Sequence, residues 1–289
     1  MLAAAAVSSA SAAAPAAAVR DCPGAQPPHV IAAGQGSLEA VAVDGGGRVF
    51  YSAGTRKAVM RLDAPGQAPV FLAGGITAPG GLVFTEGGAL IATEGNTIPN
   101  GAIGNLVGQS RLWRIDPDSG ARTVFATGLS MGNGLARGHD GAIYASDDAG
   151  IPIDRIGPDG DVQRAWASVL SPNGLAVDPS GTWLYAAQTF VPAAIARIRL
   201  SDPADVQTYV RPGPLDVAAG LDGMTIDPQG RLYVTANGMG EVWRVGADRS
   251  ICALARGLRQ PSAVALRDGS AIVVGFDGRI LQLAGAVPG

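Results

Sequence analysis

Histidine and cysteine are scarce in this chain, two of each in 289 residues, which removes most of the usual ligands for zinc and most of the usual general bases. No Gly-x-Ser-x-Gly turn occurs, so a serine hydrolase of the nucleophile-elbow type is excluded. Lysine is nearly absent: Lys57 stands alone among 21 basic residues, against 24 acidic ones. The net charge of −3 comes with no basic patch, which argues against nucleic acid as a partner. No stretch reaches the roughly eighteen consecutive apolar residues that a membrane span requires. Aromatic residues are few, at 5 %, whereas glycine is abundant at 42. That balance suits short strands joined by tight turns.

What is present is a repeat. Leu221-Asp222-Gly223-Met224-Thr225-Ile226-Asp227 runs on to Gly230 and Leu232-Tyr233-Val234, and the same pattern returns five more times. Its copies begin at Glu39-Ala40-Val41, Gly80-Gly81-Leu82, Asn133-Gly134-Leu135, Asn173-Gly174-Leu175 and Ser262-Ala263-Val264. Taking Glu39, Gly80, Asn133, Asn173, Asp222 and Ser262 as anchors, the residues two and four further on are apolar in every copy except at Arg137. Alternation at period two means strand. The residue after each anchor is always Gly or Ala, so one face of this strand must meet another sheet at close range. A glycine turn and a second apolar strand complete a hairpin in each copy.

Anchors recur at intervals of roughly 40 to 50 residues, the period of a four-stranded propeller blade. The spacing therefore predicts an all-β fold, a single six-bladed β-propeller over residues 29–283. The last copy lacks a fourth strand, and His29-Val30-Ile31-Ala32 supplies an orphan of the right kind. The N-terminal strand is accordingly expected to complete the last blade and close the ring. Cys252 falls in the outer strand of the fifth blade and Cys22 leads into that of the sixth, so a Cys22–Cys252 disulfide is expected to staple the closure. Residues 1–20, almost entirely Ala, Ser and Pro, read as a signal-peptide remnant with Ala16-Ala17-Ala18 before the cleavage point, or as a disordered leader. With the disulfide this places the protein outside the cytoplasm, secreted or periplasmic. No partner beyond a small-molecule substrate is expected, and the chain is read as a monomer.

First strands of propeller blades line the central channel, so the six anchors should ring its mouth. Glu39, Asn173 and Asp222 offer only oxygen, and two carboxylates held close together are costly unless a cation lies between them. A hard divalent ion is the natural solution, calcium first, with magnesium, manganese or zinc as alternatives. The competing reading is that these side chains hydrogen-bond backbone at a wet channel mouth. Both histidines, His29 and His139, lie away from the anchors, so a general base must be a carboxylate. Asp222 is the catalytic candidate, and Asp147 and Glu94, three residues beyond second-strand positions, are expected near the cavity.

The Ser171-Pro172-Asn173-Gly174-Leu175-Ala176-Val177-Asp178 and Asp222-Gly223-Met224-Thr225-Ile226-Asp227 segments resemble the senescence marker protein, gluconolactonase and luciferin-regenerating enzyme family of six-bladed propellers. The similarity covers roughly residues 35 to 283. It implies a metal-dependent hydrolase of a lactone or related ester, with the ion on Glu39, Asn173 and Asp222 and a substrate contact at Asn133. Sugar-lactonases of that family carry an arginine two residues before the asparagine and an acidic residue after it. Here those places hold Met131 and Gly134, which speaks for a less polar substrate lying against Met131. The alternatives are a strictosidine-synthase-like condensing enzyme and a secreted binding propeller with a structural calcium. One insertion stands out, Thr93 to Ser110 in the second blade. It is expected as a loop that folds over the site, with Ile98, Ile103, Leu106 and Val107 forming an apolar wall.

Overall fold

The computed structural model describes residues 19–190, 192–213 and 217–288. Six sheets stand around a central channel, each with a core of four antiparallel strands; in five of them these four follow sequence order from the channel outward, and in the sixth the outer strand comes from the N-terminal end. The inner strands are Leu38–Val43, Pro79–Phe84, Leu135–Arg137, Pro172–Val177, Leu221–Ile226 and Pro261–Arg267. Each turns into its second strand through a glycine with φ near +80°, at Gly47, Gly88, Gly141 and Gly230 among others, a conformation that a side chain would strain. In four of these turns an aspartate fixes the loop. Asp44, Asp140, Asp178 and Asp227 accept backbone amides of the turn at 2.7–3.1 Å.

Apolar side chains of neighbouring blades interdigitate to form the core. Phe50 meets Phe84 edge-on across blades one and two, ring centres 5.2 Å apart. Burial of each such side chain stabilises by roughly 1.5–3 kcal/mol. The glycines after the anchors are demanded by the same packing. A Cβ on Gly134 would lie 2.3 Å from the Asn173 carbonyl oxygen, and one on Gly174 2.3 Å from the Met224 amide.

Ring closure follows the expected course. His29–Ala32 pairs antiparallel with Ile280–Leu283, His29 opposite Gln282, and so supplies the outer strand of blade six. Cys22 is bonded to Cys252, but by a different route from the expected one. Arg20–Asp21 runs parallel to Ile251–Ala255 as a fifth strand of blade five, Arg20 opposite Cys252. Cys22 therefore ends an extra strand on blade five and is buried at the seam with blade six, beside Leu254 and Leu281. The leader expectation falls mainly on residues 1–18, which lie outside the described residues; Arg20 itself is already part of the sheet. No helix among the described residues is long and apolar enough to cross a membrane.

The second-blade insertion is a helix rather than a loop. Helix α1, Ile98–Val107, is capped by Thr97, whose hydroxyl accepts the Asn100 amide, and it ends on Gly108 in the left-handed conformation. Its buried face is Gly101 and Gly104, whereas Ile98, Ile103, Leu106 and Val107 are exposed. The expected apolar wall is thus turned outward. Close approach favours glycine here: a Cβ on Gly104 would sit 1.9 Å from the Ser130 carbonyl oxygen.

Candidate metal centre

In five of the six inner strands the ladder register slips at the anchor, between Leu38 and Val41, Pro79 and Leu82, Pro172 and Leu175, Leu221 and Met224, and Pro261 and Ala263. Such a bulge turns the anchor side chain out of the blade and frees a backbone amide. Buried hydroxyls of the second strands satisfy the freed groups. Ser52 accepts from the Ala40 amide at 2.9 Å, Thr93 from Gly80 at 3.0 Å, and Ser146 from Gly134 at 2.8 Å. Thr93, Ser146 and Thr235 also donate to carbonyls of the next blade, Gly132, Asn173 and Ser262, at 2.6–3.1 Å. These hydroxyls lock each anchor to its neighbour, and sequence reading passed over them although they recur at one offset from the anchors.

The bulges aim Glu39, Asn173 and Asp222 into one chamber of about 50 Å³ at the channel entrance, which Asn133 of the unbulged blade three also lines. That is room for a cation and little besides. Below it the channel widens to a cavity of about 450 Å³ between the inner strands, with Arg137 among its lining residues. Ser262 does not join the donors; its hydroxyl donates to the Leu38 carbonyl at 2.7 Å and ties blade six to blade one.

Electrostatics in the chamber are those of crowded carboxylates. Burial, and then the neighbouring Asp148, push the Glu39 carboxyl up to about 7. Burial, Glu39 and Asp148 together hold the Asp222 carboxyl well above the usual carboxylate range. Asn237 donates to Asp222 Oδ2 at 3.4 Å and to the Pro261 carbonyl at 3.2 Å, which fixes the carboxylate's orientation. Asn173 is buried, and its Nδ2 donates to the Thr189 hydroxyl at 3.1 Å, which in turn donates to the Leu221 carbonyl at 2.9 Å. This chain fixes the amide, and Asn173 Oδ1 is left buried without a hydrogen-bond partner. Two carboxylates that repel one another and an amide oxygen with no donor are a donor set for a hard cation. Among the described residues no group of three His, Cys, Asp or Glu side chains offers an alternative centre.

The remaining candidates separate. Asn133 lines the chamber and lies beside Asp148, where its side chain works against the upward push of burial on that carboxyl. Asp147 does not line it: its carboxylate lies beneath α1, 2.5 Å from where a Cβ on Gly101 would be, and both oxygens are buried without partners. Burial and Asp148 push its carboxyl up to about 7, and the nearby amides of Ala149 and Gly150 offset this only in part because neither reaches hydrogen-bond geometry. Asp148, one residue on, is the carboxylate whose charge reaches Glu39 and Asp222. Met131 is buried under the same helix, its sulfur 2.8 Å from the Gly101 Cβ position, and so braces α1. Glu94 is held away from the chamber by Trp113 Nε1 at 2.8 Å, the Thr77 amide at 3.1 Å and Arg111 at 3.5 Å. By strand direction, the loops carrying Ile151, Leu170, Phe190, Val217 and Met239 open on the anchor face, and all five residues are exposed.

The structure is thus a six-bladed propeller with carboxylate and amide oxygens gathered where its inner strands begin. The sequence matches the SMP-30/gluconolactonase/LRE-like family over residues 39–271, and the chain belongs to that family. Its fold is similar to a gluconolactonase of Xanthomonas campestris, at 19 % identity and TM-score 0.68, covering 95 % of this chain and 98 % of that one. It is similar too to a calcium-binding protein, regucalcin, of Agrobacterium tumefaciens, at 17 % identity and TM-score 0.66 over 88 % and 92 % of the two chains. A virginiamycin B lyase of Staphylococcus aureus shares the fold at 18 % identity and TM-score 0.62, with 86 % and 80 % covered. No curated protein matches the chain. A fold common to a lactonase, a calcium-binding protein and a lyase leaves the reaction to be argued from the site.

Proposed function

We propose that the protein is a divalent-cation-dependent hydrolase of a lactone or related ester, with calcium held by Glu39, Asn173 and Asp222. The observation that carries this reading is the buried, partnerless Oδ1 of Asn173, fixed by Thr189 beside two mutually repelling carboxylates. The bound cation would supply Lewis-acid polarisation of the ester carbonyl. Asp222 takes the proton of the attacking water and returns it to the departing alkoxide, so that ring opening yields the hydroxy acid. Asn133, on the chamber wall, orients the substrate at the chamber's mouth. The exposed apolar side chains on the anchor face support a substrate less polar than a sugar lactone. A disulfide supports a secreted or periplasmic location.

Elemental analysis of untreated protein, calcium calorimetry and a panel of aliphatic and sugar lactones test this reading together. One ion per chain and turnover of an aliphatic lactone, both lost in Asp222→Ala, are the expected results. Protein that binds no divalent ion overturns it, and binding without turnover assigns a structural calcium instead.

A further inference from the structure

One anchor place has no side chain. At blade two the anchor is Gly80, and a Cβ built there would lie 2.9 Å from the Cβ of Asn96. The insertion thus returns a side chain to the place that the repeat left empty. Backbone bonds hold it there: the Gly95 amide donates to the Thr77 carbonyl at 3.0 Å, and the Asn96 amide to the Ala78 carbonyl at 3.0 Å. The Asn96 side chain lies beside Glu39, where it works against the upward push of burial on that carboxyl, and its Oδ1 is buried with no hydrogen-bond partner. Asn96 immediately precedes Thr97, the cap of α1. Whatever fixes the Asn96 side chain therefore fixes the start of the helix.

We propose that Asn96 is a further oxygen donor of the cation site, supplied from the insertion in place of the Gly80 anchor, and that ion binding through it docks helix α1 over blade three. A partnerless amide oxygen next to Glu39 is completed by a cation as Asn173 Oδ1 is. The glycine face of α1 lies on Ser130, Met131 and Asp147, so a shift at Asn96 is passed to the rim of the chamber.

This rests on the cation site proposed above, and the experiment separates the two. Calcium titration calorimetry is run on wild type, Asn96→Ala and Asn96→Asp, with hydrogen exchange of the amides of residues 97–108 measured with and without calcium. Asn96→Ala should bind calcium about 10- to 100-fold more weakly. Asn96→Asp, which keeps the oxygen, should bind at least as tightly as wild type. Calcium should slow exchange across α1 in wild type and in Asn96→Asp, and leave it unchanged in Asn96→Ala. Equal affinity in wild type and Asn96→Ala, or no response of α1 to calcium in wild type, overturns this inference while the cation site stands. A wild-type protein that binds no calcium overturns both.

Discussion

Asp147 and Asp148 show how one residue of parity assigns two carboxylates to different work. They follow the second strand of blade three, Ile143–Ser146, and point to opposite sides. Asp148 turns to Asn133 and the chamber, and Asp147 turns under α1. The sequence places an acid near the cavity without saying which of the doublet arrives, because the path of the loop after Ser146 depends on its packing against α1. The buried Asp147 carries a pH signature. Its carboxyl stands at about 7, against 3.8 for the free side chain, so the folded protein holds this proton more tightly than the unfolded chain. The resulting stability is complete below about 4 and is lost as the pH rises through about 7. Asp147→Asn is neutral at every pH. Thermal melts should show it equal to wild type near pH 4 and several degrees more stable at pH 8. Parallel melting curves across that range would mean that the carboxylate is paired after all.

Among the elements, helix α1 departs furthest from expectation. Thr97, Pro99 and Gly108 are a start signal and a stop signal for a helix, yet Gly101 and Gly104 inside it weaken the pattern by about 1 kcal/mol each. Their value lies in contact: the helix must come close enough for Gly104 to lie on the Ser130 carbonyl, a backbone atom that cannot give way. Gly104→Ala raises intrinsic helicity and should nevertheless undock α1. Limited proteolysis between residues 96 and 108 should become at least tenfold faster on the order expected for a locally opened segment. The melting temperature should move little, since the blades are untouched. Unchanged cleavage would show that the helix does not depend on this contact. The same insertion holds Asn96, just before the cap of α1, which sequence reading assigned to a loop folding over the site; the clue was Gly80, the anchor of a blade with no side chain there.

For the whole molecule, closure is the feature on which stability turns. Blade six borrows His29–Ala32 from the other end of the chain, and Cys22 links to Cys252 across a separation of 230 residues. Removing that link in Cys22→Ser frees the N-terminal strands in the unfolded chain. The expected loss is about 2–5 kcal/mol in denaturant unfolding. Wild type in reductant should lose the same amount, and an unchanged midpoint in both would show that the outer strands close the ring unaided.

By itself the sequence determined the fold, the blade count, the closing strand, the family and the ring of anchors. Each of these is written once per repeat, or is a count of strands, and local alternation reports it without knowledge of the rest of the chain. Tertiary structure alone decided which carboxylate faces the chamber, that Met131 and Glu94 are held by α1 and Trp113 respectively, and that Asn96 fills the place of Gly80. Those outcomes belong to non-repeating segments, whose side-chain directions are set by contacts between residues of different blades and have no period to reveal them.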